Sequence, residues 1–147
     1  MVEVRRATIE DVDWLLMQLR AFEKFAGYKR SLIEDEAFAR AGIASLINEH
    51  VVFIAHKDGE RHGFVAGAFA PHPFNPKVRV LSEMFWWIVP EHRDGRAAVL
   101  LLDKFEECGR GIADWVVFSL EHNSPVRDKH LTSRGFRQIE RAYLLEV

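Results

Sequence analysis

The sequence holds a single cysteine, Cys108, among its 147 residues. That rules out an internal disulfide and a thiolate metal cage. A surplus of one charge is also missing: 20 Lys and Arg against 22 Asp and Glu leave a formal charge of -2. A general nucleic-acid binder carries a clustered positive excess, so that class is set aside. No apolar run reaches the roughly 20 residues of a membrane span, and no signal peptide opens the chain. Neither a GxxxxGK phosphate loop nor a GxGxxG dinucleotide fingerprint occurs. Repeats, low-complexity tracts and linkers are absent too. With 48% hydrophobic residues the chain is too apolar to be disordered. A cytoplasmic protein with one domain, residues 1–147, is the expectation.

What is present reads as alternating elements. Val2 to Arg6 is a short strand. Thr8 and Asp11 form a capping box, followed by the helical stripe Val12, Leu15, Leu16, Leu19 and Phe22. Ser31 reads as a second N-cap, with Glu34 at its third position, ahead of a helix carrying Ala37, Phe38, Ala41, Ala44 and Ile47. Val51 to His56 is a strand, and Asp58-Gly59 marks a tight hairpin to a return strand, Arg61 to Ala70. Three prolines then predict a loop, His72 to Lys77, before a long strand from Val78 to Val89. A helix follows from Arg96 to Cys108, stopped by Gly109 and Gly111. Asp114 to Leu120 is a strand, Pro125 to Ser133 a short helix, and Phe136 to Val147 a last strand. The order β-α-α-β-β-β-α-β-α-β predicts an α/β (α+β) mixed sheet with helices on both faces. Trp14, Trp86, Trp87, Trp115 and Cys108 are expected in the core, with one of the paired tryptophans turned the other way. The apolar last strands, one at an edge, are compatible with a homodimer.

One corner carries more charge than a turn requires. The stretch VPEHRDGRAAVLLLDKFEE, Val89 to Glu107, joins a strand to a helix through a proline, basic side chains and one glycine. A helix N-terminus exposes unpaired N–H groups and the positive end of the dipole, which together attract anions. Gly95 permits a close backbone approach, Ala97 and Ala98 keep the first turn small, and Arg93 and Arg96 supply charge-assisted bonds. Two readings stand: a pyrophosphate site, or an exposed turn with solvated charges.

The order of elements and this corner resemble the GNAT superfamily of acetyl-CoA-dependent N-acyltransferases. Its signature is Q/R-x-x-G-x-G/A. Arg93 takes the first place, Arg96 the fourth and Ala98 the last, while the glycine is displaced to the third place, Gly95. The closing SRGFRQIERAYLLEV is similar to the end of such chains, and FWWIVPEHRDGRAA looks similar to short phage- and prophage-encoded members. The resemblance implies a splayed central sheet and acetyl-CoA (CoA) as the donor. It places the pantetheine arm along Trp87, Ile88 and Val89, the pyrophosphate on Arg93, Asp94, Gly95, Arg96, Ala97 and Ala98, and an amide contact at Asn123. It also implies a small-molecule or peptide amine as acceptor, between Phe25–Arg30 and His72–Lys77. Neither loop holds an acidic cluster, which disfavours a polycation.

An alkylamine must lose a proton before it attacks a thioester. Glu83, amid Met84, Phe85, Trp86 and Trp87, is the candidate base, its pKa raised by desolvation. The plainer reading is a surface glutamate, or one paired with Arg79. The tyrosine such enzymes use to protonate the departing thiolate falls on Leu131; Tyr143, His130 and Ser133 are the substitutes within the chain. Arg127 reads as solvent-facing rather than a phosphate contact. The remaining histidines show no metal spacing, so no metal is expected. The alternative to an acetyltransferase is a non-catalytic protein of this fold that binds CoA or a protein partner.

Overall fold

The computed structural model describes residues 1–147. Strands β1 (Glu3–Arg6), β2 (Val51–Lys57), β3 (Glu60–His72), β4 (Asn75–Ile88) and β5 (Trp115–Val117) form one sheet in that order. The first four pair antiparallel and β5 joins β4 in parallel. Helices α1 (Val12–Ala26), α2 (Glu36–Glu49), α3 (Ala97–Ile112) and α4 (Lys129–Thr132) complete the chain. No helix is long and apolar enough to cross a membrane.

Strand alternation divides the core in two. On one face Val52, Ile54, Phe64, Ala66 and Trp87 meet Leu15, Leu16 and Phe22 of α1 and Ile43 of α2. On the other, Val51, Phe53, Ala55, Val65 and Leu81 meet Ala97, Leu101 and Phe105 of α3. Leu101 and Phe105 are fully buried, each stabilising the fold by roughly 2–3 kcal/mol through lost water contact. The Asp58-Gly59 hairpin forms as its sequence dictates: both residues have positive φ, 51° and 81°.

Several local expectations are corrected by tertiary contacts. The Ser31 hydroxyl bonds Glu23, and Asp35 caps α2 by accepting from the Phe38 N–H at 3.0 Å. The buried side of α2 is therefore Ala39, Ile43, Leu46 and Ile47, and Phe38 lies in solvent. The predicted 72–77 loop is a tight turn, since β3 runs to His72, paired with Asn75. Gly109 and Gly111 lie inside α3, which continues to Ile112. Gly109 is small for packing, not for stopping: a Cβ there would stand 2.3 Å from a Val116 methyl carbon. Trp115 is half-exposed at the sheet's edge, its ring 5.5 Å from His72. The last expected strand does not form. Residues 137–147 pair with no strand, and Tyr143, Leu144 and Leu145 are exposed. The segment is held instead by Glu146, whose carboxylate accepts the Lys29 N–H at 3.1 Å.

The capping box at the start of α1 has a second role. Asp11 is 1% exposed and accepts from the Thr8 N–H, from both terminal nitrogens of Arg5 and from Arg61 Nε, all at 2.8 Å. One carboxylate thus ties β1, β3 and α1 together. Burial alone would raise its pKa, but the bonds from Arg5, Thr8 and Arg61 hold it far below the usual carboxylate range. Since the unfolded carboxyl titrates near 3.8, this stabilisation is complete above that pH and is lost as pH falls below it. Asp11→Ala is expected to lower unfolding free energy by about 3 kcal/mol at pH 7. The deficit should shrink in urea melts at progressively more acidic pH, whereas a deficit independent of pH would contradict this account.

Candidate active site

The sheet opens along one seam. β4 and β5 pair only at Val80–Trp115, Leu81–Val116 and Ser82–Val117. Beyond that point β4 stays paired with β3 as far as Ile88, while the chain after Val117 leaves it. A bulge lies at the parting: Gly67 opposes Glu83 and Ala66 opposes Phe85, leaving Met84 without a partner. The extra residue reverses which side chains face which layer. Leu81 packs toward α3, yet Phe85 and Trp87 pack toward α1, with Trp86 and Ile88 on the α3 side. Where the next ladder bond would fall, the Ser119 N–H donates to Glu83 Oε1 at 3.1 Å. A cleft of about 2030 Å³ fills the gap, with β4 as its floor and α4 and the closing segment as its outer wall.

The cleft edge of β4 presents unused backbone groups. The Val89 N–H donates to the His62 carbonyl at 2.9 Å, so by antiparallel alternation Trp87 and Val89 bond toward β3. Trp86 and Ile88 turn theirs toward the cleft. Of the three residues expected to meet an extended amide ligand, only Ile88 faces it, and Trp86 joins it. The Trp87 ring is buried, its Nε1 donating to Gln18 at 3.0 Å. Arg93, although exposed, folds its side chain back over this strand. Its Nε donates to the Ile88 carbonyl at 3.1 Å, and its guanidinium lies 4.6 Å from the Trp87 ring and 5.4 Å from Phe25. It thus lies beside the strand edge, not out over the corner.

At the mouth of α3 the N–H groups of Ala97, Ala98 and Val99 have no acceptor in the protein, and Arg96 at the cap position offers none. Asp94 and Arg96 are exposed and in no ion pair. Gly95 has no positive φ, and a Cβ on it would touch only the His92 carbonyl, at 3.4 Å. The corner's own geometry therefore does not require glycine.

Glu83 is half-buried on the cleft wall. Burial, aided by the charge of Glu121, pushes its pKa up to about 7 against the opposing Ser119 N–H bond. Glu121 itself accepts from the Tyr28 hydroxyl at 3.4 Å, and burial together with Glu121 raises the phenol's pKa. Glu121 and this role of Tyr28 were not evident in the sequence; the only signal was a glutamate just after an apolar strand. Asn123 does not line the cleft. Its Nδ2 donates to the Phe25 carbonyl at 2.9 Å, fastening the loop after β5 to the end of α1. Leu131 and Tyr143 both line the cleft, Leu131 bringing no hydroxyl and Tyr143 largely open to solvent, and the 72–77 turn lies outside. Phe25 to Tyr28 do line it.

Similar architecture occurs in solved structures. A predicted acetyltransferase with acetyl-CoA from Clostridium acetobutylicum superposes with a TM-score of 0.74 at 18% identity, covering 99% of this chain and 96% of that one. The chain has the GNAT fold. A ribosomal-protein-alanine N-acetyltransferase from Brucella melitensis biovar Abortus 2308 matches at 0.68 and 14% identity, over 100% and 99% of the two chains. A transcriptional regulator from Bacillus halodurans C-125 matches at 0.77 and 13% identity over the whole of both. No protein-family model matches the chain, and no curated protein matches it in sequence. At these identities the likeness is one of fold.

Glu83 gives a stability signature independent of any ligand. The folded protein keeps this proton to about pH 7, whereas the unfolded chain releases it near 4.5. Stability therefore falls as pH rises through that window. Glu83→Gln is expected to gain about 2 kcal/mol relative to the parent at pH 8 compared with pH 5, given partial solvent access. Chemical denaturation of both proteins at the two pH values reads the difference; equal ΔΔG at both would mean that Glu83 is not desolvated.

Proposed function

We propose that the protein is an acyltransferase that moves an acetyl group from acetyl-CoA to a primary amine, both bound together in the cleft. The observation that carries this reading is the seam itself. It sets the outward backbone of Trp86 and Ile88, Ala98 with its unpartnered amide, and the carboxylate of Glu83 around one cavity, with the unpartnered amides of Ala97 and Val99 flanking Ala98 in the chain. An extended amide chain ending in a pyrophosphate has that chemistry: amides for the strand edge, anionic oxygens for the helix mouth. Asp94, Gly95 and Arg96 form the exposed approach to it, with Arg96 the free cation. Small side chains there leave room for phosphate, which gives Gly95 a purpose the chain's own geometry does not. Arg93 would steady the floor at Trp87, or release the Ile88 carbonyl to the ligand. Asn123 acts by fixing the loop that carries Glu121.

In the reaction the deprotonated amine nitrogen would bond to the thioester carbonyl carbon, the C–S bond would break, and the second nitrogen proton would leave with the thiolate as CoA thiol or pass to water. The proton lost by the ammonium goes to Glu83, whose pKa near 7 matches it to that task at neutral pH. The Glu121 carboxylate, with Tyr28 donating to it, gives the acceptor's positive charge a place beside the base. A CoA thiolate needs no strong acid to depart, so Leu131 is compatible with turnover.

The second reading, a protein of this fold that binds CoA or a partner without catalysis, is favoured by one feature: Arg93 occupies the Ile88 carbonyl that an arm along β4 would use. The two separate in a combined assay. Acetyl-CoA is expected to raise the melting temperature, and Gly95→Val to weaken its binding by about tenfold while leaving the unliganded melt nearly unchanged. Thiol release over an amine panel is expected to rise with pH through about 7 and to fall by 10²–10⁴-fold in Glu83→Gln, with acetyl-CoA binding retained. Binding without thiol release supports the second reading, and no thermal shift at all overturns the acetyltransferase and leaves only a partner-binding protein.

A further inference from the structure

Outside the residues that line the cleft, three side chains converge without a task in the chemistry above. His62 lies on β3, Glu60 at its start, and His92 in the turn Pro90–His92 that leads toward α3. One ligand atom from each lies within 4.8 Å of the other two. The imidazoles of His62 and His92 stack face to face, centroids 3.6 Å apart and planes 6° apart, and His92 Nε2 lies 2.9 Å from Glu60 Oε1. We propose that Glu60, His62 and His92 form a binding site for a divalent transition ion of the zinc class.

One observation beyond proximity points to a ligand. His62 is 8% exposed and neither of its ring nitrogens bonds a protein group, so both are left to water or a ligand. Parallel rings 3.6 Å apart point their in-plane lone pairs along parallel lines, so a shared ion requires His92, the more exposed of the two, to turn out of the stack. The backbones are already fixed. The His62 carbonyl accepts the Val89 N–H and the His92 N–H donates to the Val89 carbonyl, each at 2.9 Å. The Glu60 side chain is exposed and free to pivot. Two imidazoles and one carboxylate suit a borderline-soft ion with water in the fourth position, not Mg²⁺ or Ca²⁺, which take oxygen ligands. Of the other charged groups around His62, Asp58 favours a cation and Lys57 opposes one. Arg61 is committed to Asp11. A bound ion would clamp the β2–β3 hairpin to the segment that starts α3.

The test uses the full chain, free of any affinity tag and stripped with EDTA. Titration calorimetry with Zn²⁺ is expected to show one ion per chain at micromolar or tighter dissociation constant, with a raised melting temperature that Mg²⁺ does not reproduce. Co²⁺ is expected to give the visible bands of a tetrahedral nitrogen–oxygen site. His92→Ala and Glu60→Gln, both at accessible side chains, should each weaken Zn²⁺ by about tenfold or more, as should His62→Ala if it folds. His130→Ala, on α4, should change nothing. Absence of stoichiometric uptake, or affinity unaltered by His92→Ala, overturns the proposal. No CoA enters the assay, so its failure would leave the acyl-transfer reading untouched.

Discussion

The parting of β4 from β5 is the constraint on which the rest depends. Three paired residues hold the two strands together at one end, and the bulge around Met84 keeps them apart at the other. A sheet edge inside a molecule is ordinarily covered, because unpaired amides and carbonyls away from water are costly. Here the edge at Trp86 and Ile88 opens onto a cleft, and the first amides of α3 open beside it. Continued pairing through Phe118 and Ser119 would close the cavity and cover Glu83. Instead the Ser119 amide is spent on the Glu83 carboxylate. A group that would have extended the ladder thus shapes the site.

The surrounding fold keeps the seam from collapsing. α1 and α2 pack one face and α3 the other, so β4 is buttressed on both sides up to Ile88. Gly109 lets α3 approach β5 closely enough to hold Val116 against Leu81, which anchors the paired end. Asp11 secures the far edge by joining β1, β3 and α1 through a single buried carboxylate. Glu83 is the opposite case. Its desolvation is only partly offset by one N–H bond, a stability cost of the sort found where a group must exchange protons near neutrality. Two carboxylates thus have pKa values driven in opposite directions, one by its three bonding partners and the other by burial against a single N–H bond.

Local sequence determined much of this. The α1 stripe, the Asp58-Gly59 hairpin, the compact apolar run of β2 and the charged corner before α3 were all legible, because helical period, turn stereochemistry and local apolar composition are properties of adjacent residues. The desolvation of Glu83 was legible from its apolar flanks. What the tertiary structure decided involves partners distant in sequence. Gly109 looked like a helix stop until Val116 was beside it. Ser31 looked like a cap until Glu23 and Asp35 competed. The apolar alternation of Phe136 to Val147 looked like a strand, but a strand exists only against a neighbour, and no strand pairs with it. The packing of Arg93 on Phe25, the contact between Glu121 and Tyr28, and the meeting of His92 with Glu60 and His62 join residues far apart in the chain. Sequence spacing carries no signal for such contacts. Periodicity settles which way a residue faces within its own element, and only packing settles what it faces.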